Sequence, residues 1–96
     1  MSAPADGPGD DAVRRKRLRL RAWRRGTREM DLILGPFADA HLETLPAATL
    51  ARFEALLDEN DHDLYAWISG AGAAPEALAG LVAEIRAAIV PGLTRP

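Results

Sequence analysis

Apolar residues recur at helical spacing along most of this chain, and nowhere do they alternate with a period of two over a strand's length. Val13, Leu20 and Trp23 fall at that spacing within a basic stretch, and Arg17 can lay its stem along the same stripe, which predicts a first helix. Gly26 ends it, as a residue free to take positive φ. A second helix is predicted from about Thr27, with Met30, Ile33, Leu34, Phe37 and Ala38 on one face. Within it, Pro36 deletes a backbone donor and crowds the preceding turn, so the last turns are expected to kink or weaken. Pro46 stands at the first position of a third helix carrying Leu50, Phe53, Leu56 and Leu57. Asp61 is a suitable N-cap for a short fourth helix with Leu64, Trp67 and Ile68 inward and Gly70 at its end. Pro75 opens a fifth, whose Leu78, Leu81, Val82, Ile85 and Ile89 form the cleanest stripe in the chain before Pro91 and Gly92 stop it. The expectation is an all-α protein, a small five-helix, bundle-like single domain over residues 13–91. Disordered tails are expected at 1–12, rich in Pro, Gly, Asp and Ala, and at 92–96.

Composition narrows the function classes. The 96 residues include no cysteine, which removes disulfides, zinc-thiolate sites and thiol catalysis together. A domain of this size buries only roughly 60 to 65 per cent of its unfolded surface, so the core must be economical. No apolar run approaches the roughly 18 to 20 residues that cross a bilayer. Asp6, Asp10 and Asp11 are wrong for a signal peptide or a mitochondrial presequence, both of which avoid acids, so a soluble, cytoplasmic protein without membrane insertion is expected.

Charge is close to balanced overall but unevenly placed. Arg14, Arg15, Lys16, Arg17, Arg19, Arg21, Arg24, Arg25 and Arg28 occur with no acid among them, whereas residues 29–63 hold most of the acids and one base, Arg52. A run of arginines beside a helical domain is an electrostatic footprint for nucleic acid, yet the following helices lack exposed residues suited to reading base edges, and the acidic majority repels phosphate. A solvated basic face and a protein contact are the competing readings. Catalytic and metal chemistry have little support. His41 and His62 have no partner at ligand spacing, and Glu29 and Asp31, two apart, point to different sides of a helix. The cluster Asp58, Glu59, Asp61, Asp63 lacks the calcium-loop series; acids at a helix end nevertheless oppose its dipole and invite a functional question. Tyr65 and Trp67 read as rim and core rather than as a stacking pair.

The segment Arg24-Arg25-Gly26-Thr27-Arg28-Glu29-Met30-Asp31 combines a basic run, a glycine break and acids at helical spacing. Taken alone it has two readings. One is a recognition surface; in the other, Gly26 only terminates a helix and Glu29 only favours the positive end of the next.

Three blocks carry a resemblance. Arg25-Gly26-Thr27-Arg28-Glu29-Met30-Asp31-Leu32-Ile33-Leu34-Gly35-Pro36-Phe37, then Phe53-Glu54-Ala55-Leu56-Leu57, then Asp61-His62-Asp63-Leu64-Tyr65-Ala66-Trp67 resemble, in order and spacing, the succinate dehydrogenase assembly factors that promote covalent flavin attachment. The similarity extends from about Arg14 to Ile89 and embeds an R-G-x-x-E signature. Thr27 stands where that family often has Met, and His62 where Pro is common.

The resemblance implies a five-helix maturation factor that is not an enzyme and has no catalytic or metal-binding residues. Its partner would be the flavoprotein subunit of succinate dehydrogenase, and in bacteria also that of fumarate reductase, with no nucleic acid. FAD would be the client's cofactor, joined to a client histidine in a self-catalysed step, and not stably bound by the factor; the chain has no Gly-rich dinucleotide fingerprint. A monomer is expected. The implied partner-binding residues are Arg25, Gly26 and Glu29, with Arg28 and Asp31 as weaker members. Gly26 would let two backbones approach, Arg25 would offer its planar fork to a client carboxylate, carbonyl or flavin-side group, and Glu29 would answer a client base.

Overall fold

The computed structural model describes residues 8–89, with side chains from Asp11 onward. Five helices follow in order, α1 (Pro8–Ala22), α2 (Arg28–His41), α3 (Ala47–Leu57), α4 (Asp61–Ser69) and α5 (Glu76–Ile89), and a single 3₁₀ turn (Leu42–Thr44) lies between α2 and α3. No strand occurs among the described residues. The expected all-α, five-helix class is therefore the observed one. Phe53, Leu34, Leu56, Leu64 and Ile85 are fully buried at the centre, and the Phe37 and Phe53 rings stack with centroids 5.9 Å apart. The apolar stripes expected on α2, α3, α4 and α5 all face this core, with Ile33, Trp67 and Ile89 packed at its margin.

The first helix differs from expectation in its start and its inward face. It begins at Pro8, so residues 8–12 are helical rather than tail, while 1–7 and the expected tail 92–96 lie outside the described residues. Asp11 explains part of the early start: it sits near the positive end of the helix and pairs with Arg15 one turn on, at 2.8 Å. Val13 and Leu20, expected inward, are 55% and 46% exposed, and Arg17 is exposed as well; Leu18 and Ala22 are the buried residues. The inward face runs through Arg15, whose Nη1 donates to the carbonyls of Leu42 and Leu45 at the 3₁₀ turn. A charged head satisfied by backbone acceptors lets an arginine occupy a core-facing position that hydropathy assigns to solvent.

Helix ends also moved by a residue. Pro46 is the N-cap of α3 rather than its first residue. Asn60, not Asp61, caps α4: its side-chain oxygen accepts from the Asp63 N–H at 2.8 Å, and its amide donates back to the Asp63 carboxylate at 2.9 Å. Pro36 is exposed and α2 continues through it to His41. Gly35, one residue earlier, is buried beneath the Trp23 indole; a Cβ there would stand 2.3 Å from the ring. The absence of a side chain at 35 is what lets α1 end with its tryptophan flat against α2, and the indole N–H reaches the Asp39 carboxylate at 3.2 Å.

Candidate functional site

Between α1 and α2 the chain turns at Gly26, which has φ +101°, a conformation that L side chains rarely adopt. Thr27 then caps α2, its hydroxyl oxygen accepting from the Met30 N–H at 3.3 Å. The turn is held from both sides by Arg25 and Asp31. Asp31 Oδ1 accepts the Arg25 backbone N–H at 2.6 Å, closing the loop onto the first turn of α2. The Arg25 side chain, only 11% exposed, points away from solvent. Its Nε donates to Asp61 Oδ1 at 2.8 Å, its Nη2 to the Glu59 carbonyl at 2.7 Å, and its Nη1 to the Leu57 carbonyl.

Arg25 thus occupies the gap between the end of α3 and the start of α4. There it caps carbonyls at the negative end of one helix and neutralises an acid on the other. The fork that the sequence suggests for a client is engaged by the protein's own backbone and Asp61, so Arg25 positions the turn, and Asp31 does the same. Three of the four acids in the cluster are accounted for on the same terms. Asp58 pairs with Arg21 at 2.8 Å, Asp61 with Arg25, and Asp63 belongs to the α4 cap.

Gly26, Arg28 and Glu29 face outward from this braced turn. Both charged residues are exposed, and neither makes an ion pair among the described residues. No atom outside Arg25, Gly26 and Thr27 lies within 4 Å of where a Gly26 Cβ would be, so the space above the turn is open. Thr27 borders two shallow depressions. One is lined by Glu29, Met30, Asp61, His62 and Tyr65, the other by Trp23, Arg24, Gly26, Arg28 and Leu32. Glu29 and Asp61 therefore stand on one side of the turn, and Arg24 and Arg28 on the other beside Asp31, whose Oδ1 is taken up by the Arg25 N–H. Leu32 and Tyr65 are 51% and 50% exposed, large apolar groups at the edges of this surface. Sequence reasoning gave Leu32 no role, although its position between Met30 and Leu34, out of phase with the buried stripe, was the available signal.

The basic helix has a largely internal explanation. Arg14 pairs with Glu54 at 2.6 Å, Arg19 lies 3.9 Å from both Asp39 and Glu43, and with Arg15, Arg21 and Arg25 most of the inward cations hold acids of the same chain. Nucleic acid is accordingly not favoured.

The fold and this surface define a small all-helical protein with two adjacent exposed charges, Arg28 and Glu29, left without ion pairs beside a braced turn, the form of a docking module. Comparison with known proteins makes the class particular. The model of the family described as "Flavinator of succinate dehydrogenase" matches residues 16–89, and the chain belongs to that family. It is 39% identical over 77 residues to "FAD assembly factor SdhE" of Acetobacter pasteurianus, covering 78% of this chain and 71% of that protein. It is 42% identical over 71 residues to "Succinate dehydrogenase assembly factor 2, mitochondrial" of Mycosarcoma maydis, covering 70% of this chain and 30% of the relative. For the protein so named in Schizosaccharomyces pombe the values are 40% over 60 residues, 62% and 43%. The chain thus spans most of the bacterial relative but less than half of these two mitochondrial ones. No helix among the described residues is long and apolar enough to cross a membrane.

Proposed function

We propose that this protein is a maturation factor that binds the flavoprotein subunit of succinate dehydrogenase and promotes covalent attachment of its FAD. The observation that carries the reading is the exposure of Arg28 and Glu29 without internal partners, on either side of an open, left-handed Gly26, in a chain of the flavinator family. Gly26 admits a client backbone, Glu29 answers a client cation and Arg28 a client carboxylate. Arg25 and Asp31 hold the turn in the docking conformation. The factor performs no catalytic step. Its contribution is to bind a client conformation in which flavin, dicarboxylate and attacking histidine are aligned, raising the population of that state by its differential affinity. FAD stays the client's cofactor. The fumarate reductase flavoprotein is served by the same surface, and the factor works as a cytoplasmic monomer.

The test is covalent flavin on the denatured succinate dehydrogenase flavoprotein, read by in-gel fluorescence, in cells lacking this protein and complemented with wild type, Glu29→Arg or Gly26→Arg. Glu29 has no internal ion pair, so its reversal costs only the helix-dipole contribution of an acid in the first turn of α2, roughly 0.3 to 1 kcal/mol; Gly26→Arg also forces a non-glycine residue into positive φ, at a cost of roughly 1 to 2 kcal/mol. Fluorescence restored by wild type and not by folded Glu29→Arg is the expected result. Equal fluorescence in all strains would refute the maturation role.

A further inference from the structure

The outer face of α1 carries residues that neither the core nor the Gly26 turn uses. Val13, Lys16, Arg17 and Leu20 are all exposed and recur at steps of three, four and seven, so they share one side of the helix, opposite Leu18 and Ala22; Arg24, also exposed, follows just past the helix end. The cations of α1 are sorted by this division. Arg14, Arg15, Arg19 and Arg21 each pair with an acid, whereas Lys16, Arg17 and, beyond the helix end, Arg24 have no ion pair among the described residues. The face does not stop at the helix end. Arg24 lines the same depression as Arg28 and Leu32, which carries the band across the turn onto α2; the one acid there, Asp31, already accepts the Arg25 N–H. Of the four large hydrophobic side chains exposed in the described structure, Val13, Leu20 and Leu32 lie along this band.

We propose that the band is a second docking region, for a carboxylate-rich protein surface on the same client, continuous with the contact at Gly26 and Glu29; it rests on the reading given under Proposed function. Two features favour acidic protein over anionic lipid. The apolar side chains are interleaved with the cations, whereas a helix that lies in a bilayer surface segregates them onto separate faces. Three of the four cations are arginines, whose planar fork matches carboxylates two bonds at a time. Long-range attraction from four cations without internal partners also speeds encounter with an acidic surface, an effect that salt weakens.

Lys16 is the only lysine in the chain, so a zero-length carbodiimide link mapped to its side chain by peptide mass spectrometry reports on the band. The full-length protein is mixed with purified succinate dehydrogenase flavoprotein subunit. Binding is measured at low and physiological salt for wild type, the double variant R17E/R24E, Glu29→Arg, and Arg52→Glu, which reverses an exposed cation on α3 away from the band. The expected result is at least about tenfold weaker binding for R17E/R24E, with a shallower salt dependence, and a change within about twofold for Arg52→Glu. Carbodiimide is expected to join Lys16 to an Asp or Glu of the flavoprotein, a product lost in Lys16→Arg although that variant still binds. If wild type binds and Glu29→Arg weakens it, while R17E/R24E binds like wild type and no Lys16 link forms, the band is overturned and the Gly26–Glu29 contact stands. Loss of binding to phosphatidylglycerol vesicles in R17E/R24E, with flavoprotein binding unchanged, would overturn it in favour of lipid. No binding by wild type would overturn both readings together.

Discussion

Replacing Arg25 by Met keeps the stem that packs beside the turn and removes every donor of its head. Three acceptors then lose their partner: Asp61 Oδ1 and the carbonyls of Leu57 and Glu59. The Asp61 side chain is only 24% exposed, so water replaces the guanidinium incompletely. Losing the charged contact costs about 1 to 2 kcal/mol and each carbonyl about 1, while the Met gains little entropy that Arg lacked, so the net loss is about 3 kcal/mol. For a domain of this length that corresponds to a fall in melting midpoint of roughly 12 to 24 °C. Thermal unfolding followed by circular dichroism at the helical minimum measures it directly. Arg25→Lys is expected to recover only part of the loss, because one ammonium cannot reach three acceptors arranged around a planar fork. A midpoint for Arg25→Met within about 4 °C of wild type, roughly 1 kcal/mol, would refute the internal tie. If that same variant had lost flavoprotein binding, Arg25 would return to the role of a direct client contact.

Two further substitutions test the supports of the same surface. Gly35→Ala places a methyl 2.3 Å from the Trp23 ring, so the indole must lift from α2; destabilisation of about 1 to 3 kcal/mol is expected in urea titration, and an unchanged midpoint would contradict the close contact. Asn60→Ala removes the cap that starts α4 beside Asp61 and is expected to cost about 1 kcal/mol, seen as a melting shift of about 4 to 8 °C; no shift would mean that water caps the helix equally well.

Most of the fold was legible because four of the five helices bury simple apolar stripes. Leu78, Leu81, Val82 and Ile85 on α5 leave no other arrangement, and Gly26 and Gly70 both take the positive φ that their places at helix ends suggested. The first helix was legible as a helix but not in its orientation. Its inward side includes Arg14, Arg15 and Arg21, which, apart from the local pair of Arg15 with Asp11, donate to acceptors 27 to 40 residues away that leave no local trace. Val13 and Leu20, the conspicuous apolar residues, therefore drew the prediction to the wrong face. The Arg-Gly-x-x-Glu segment was recognisable as a unit, but the division of labour within it was not. That Arg25 turns inward depends on where α3 ends and α4 begins, which spacing along the chain does not fix. Similarly, the meaning of Gly35 required knowing that Trp23 lies on it.

The Trp23 indole lies at the edge of the depression that holds Arg24, Gly26 and Leu32, yet it is anchored by Gly35 beneath and Asp39 at its N–H. A fixed indole at the margin of a wet surface is an optical probe already installed in the chain. Water displaced from that side lowers the local polarity, and the emission of Trp23 moves to shorter wavelength without any label. The other tryptophan, Trp67, packs on the core from α4 near Gly72, so a Trp67→Phe background isolates the signal. Occupancy of the turn can then be followed in solution, in real time, on the unmodified surface.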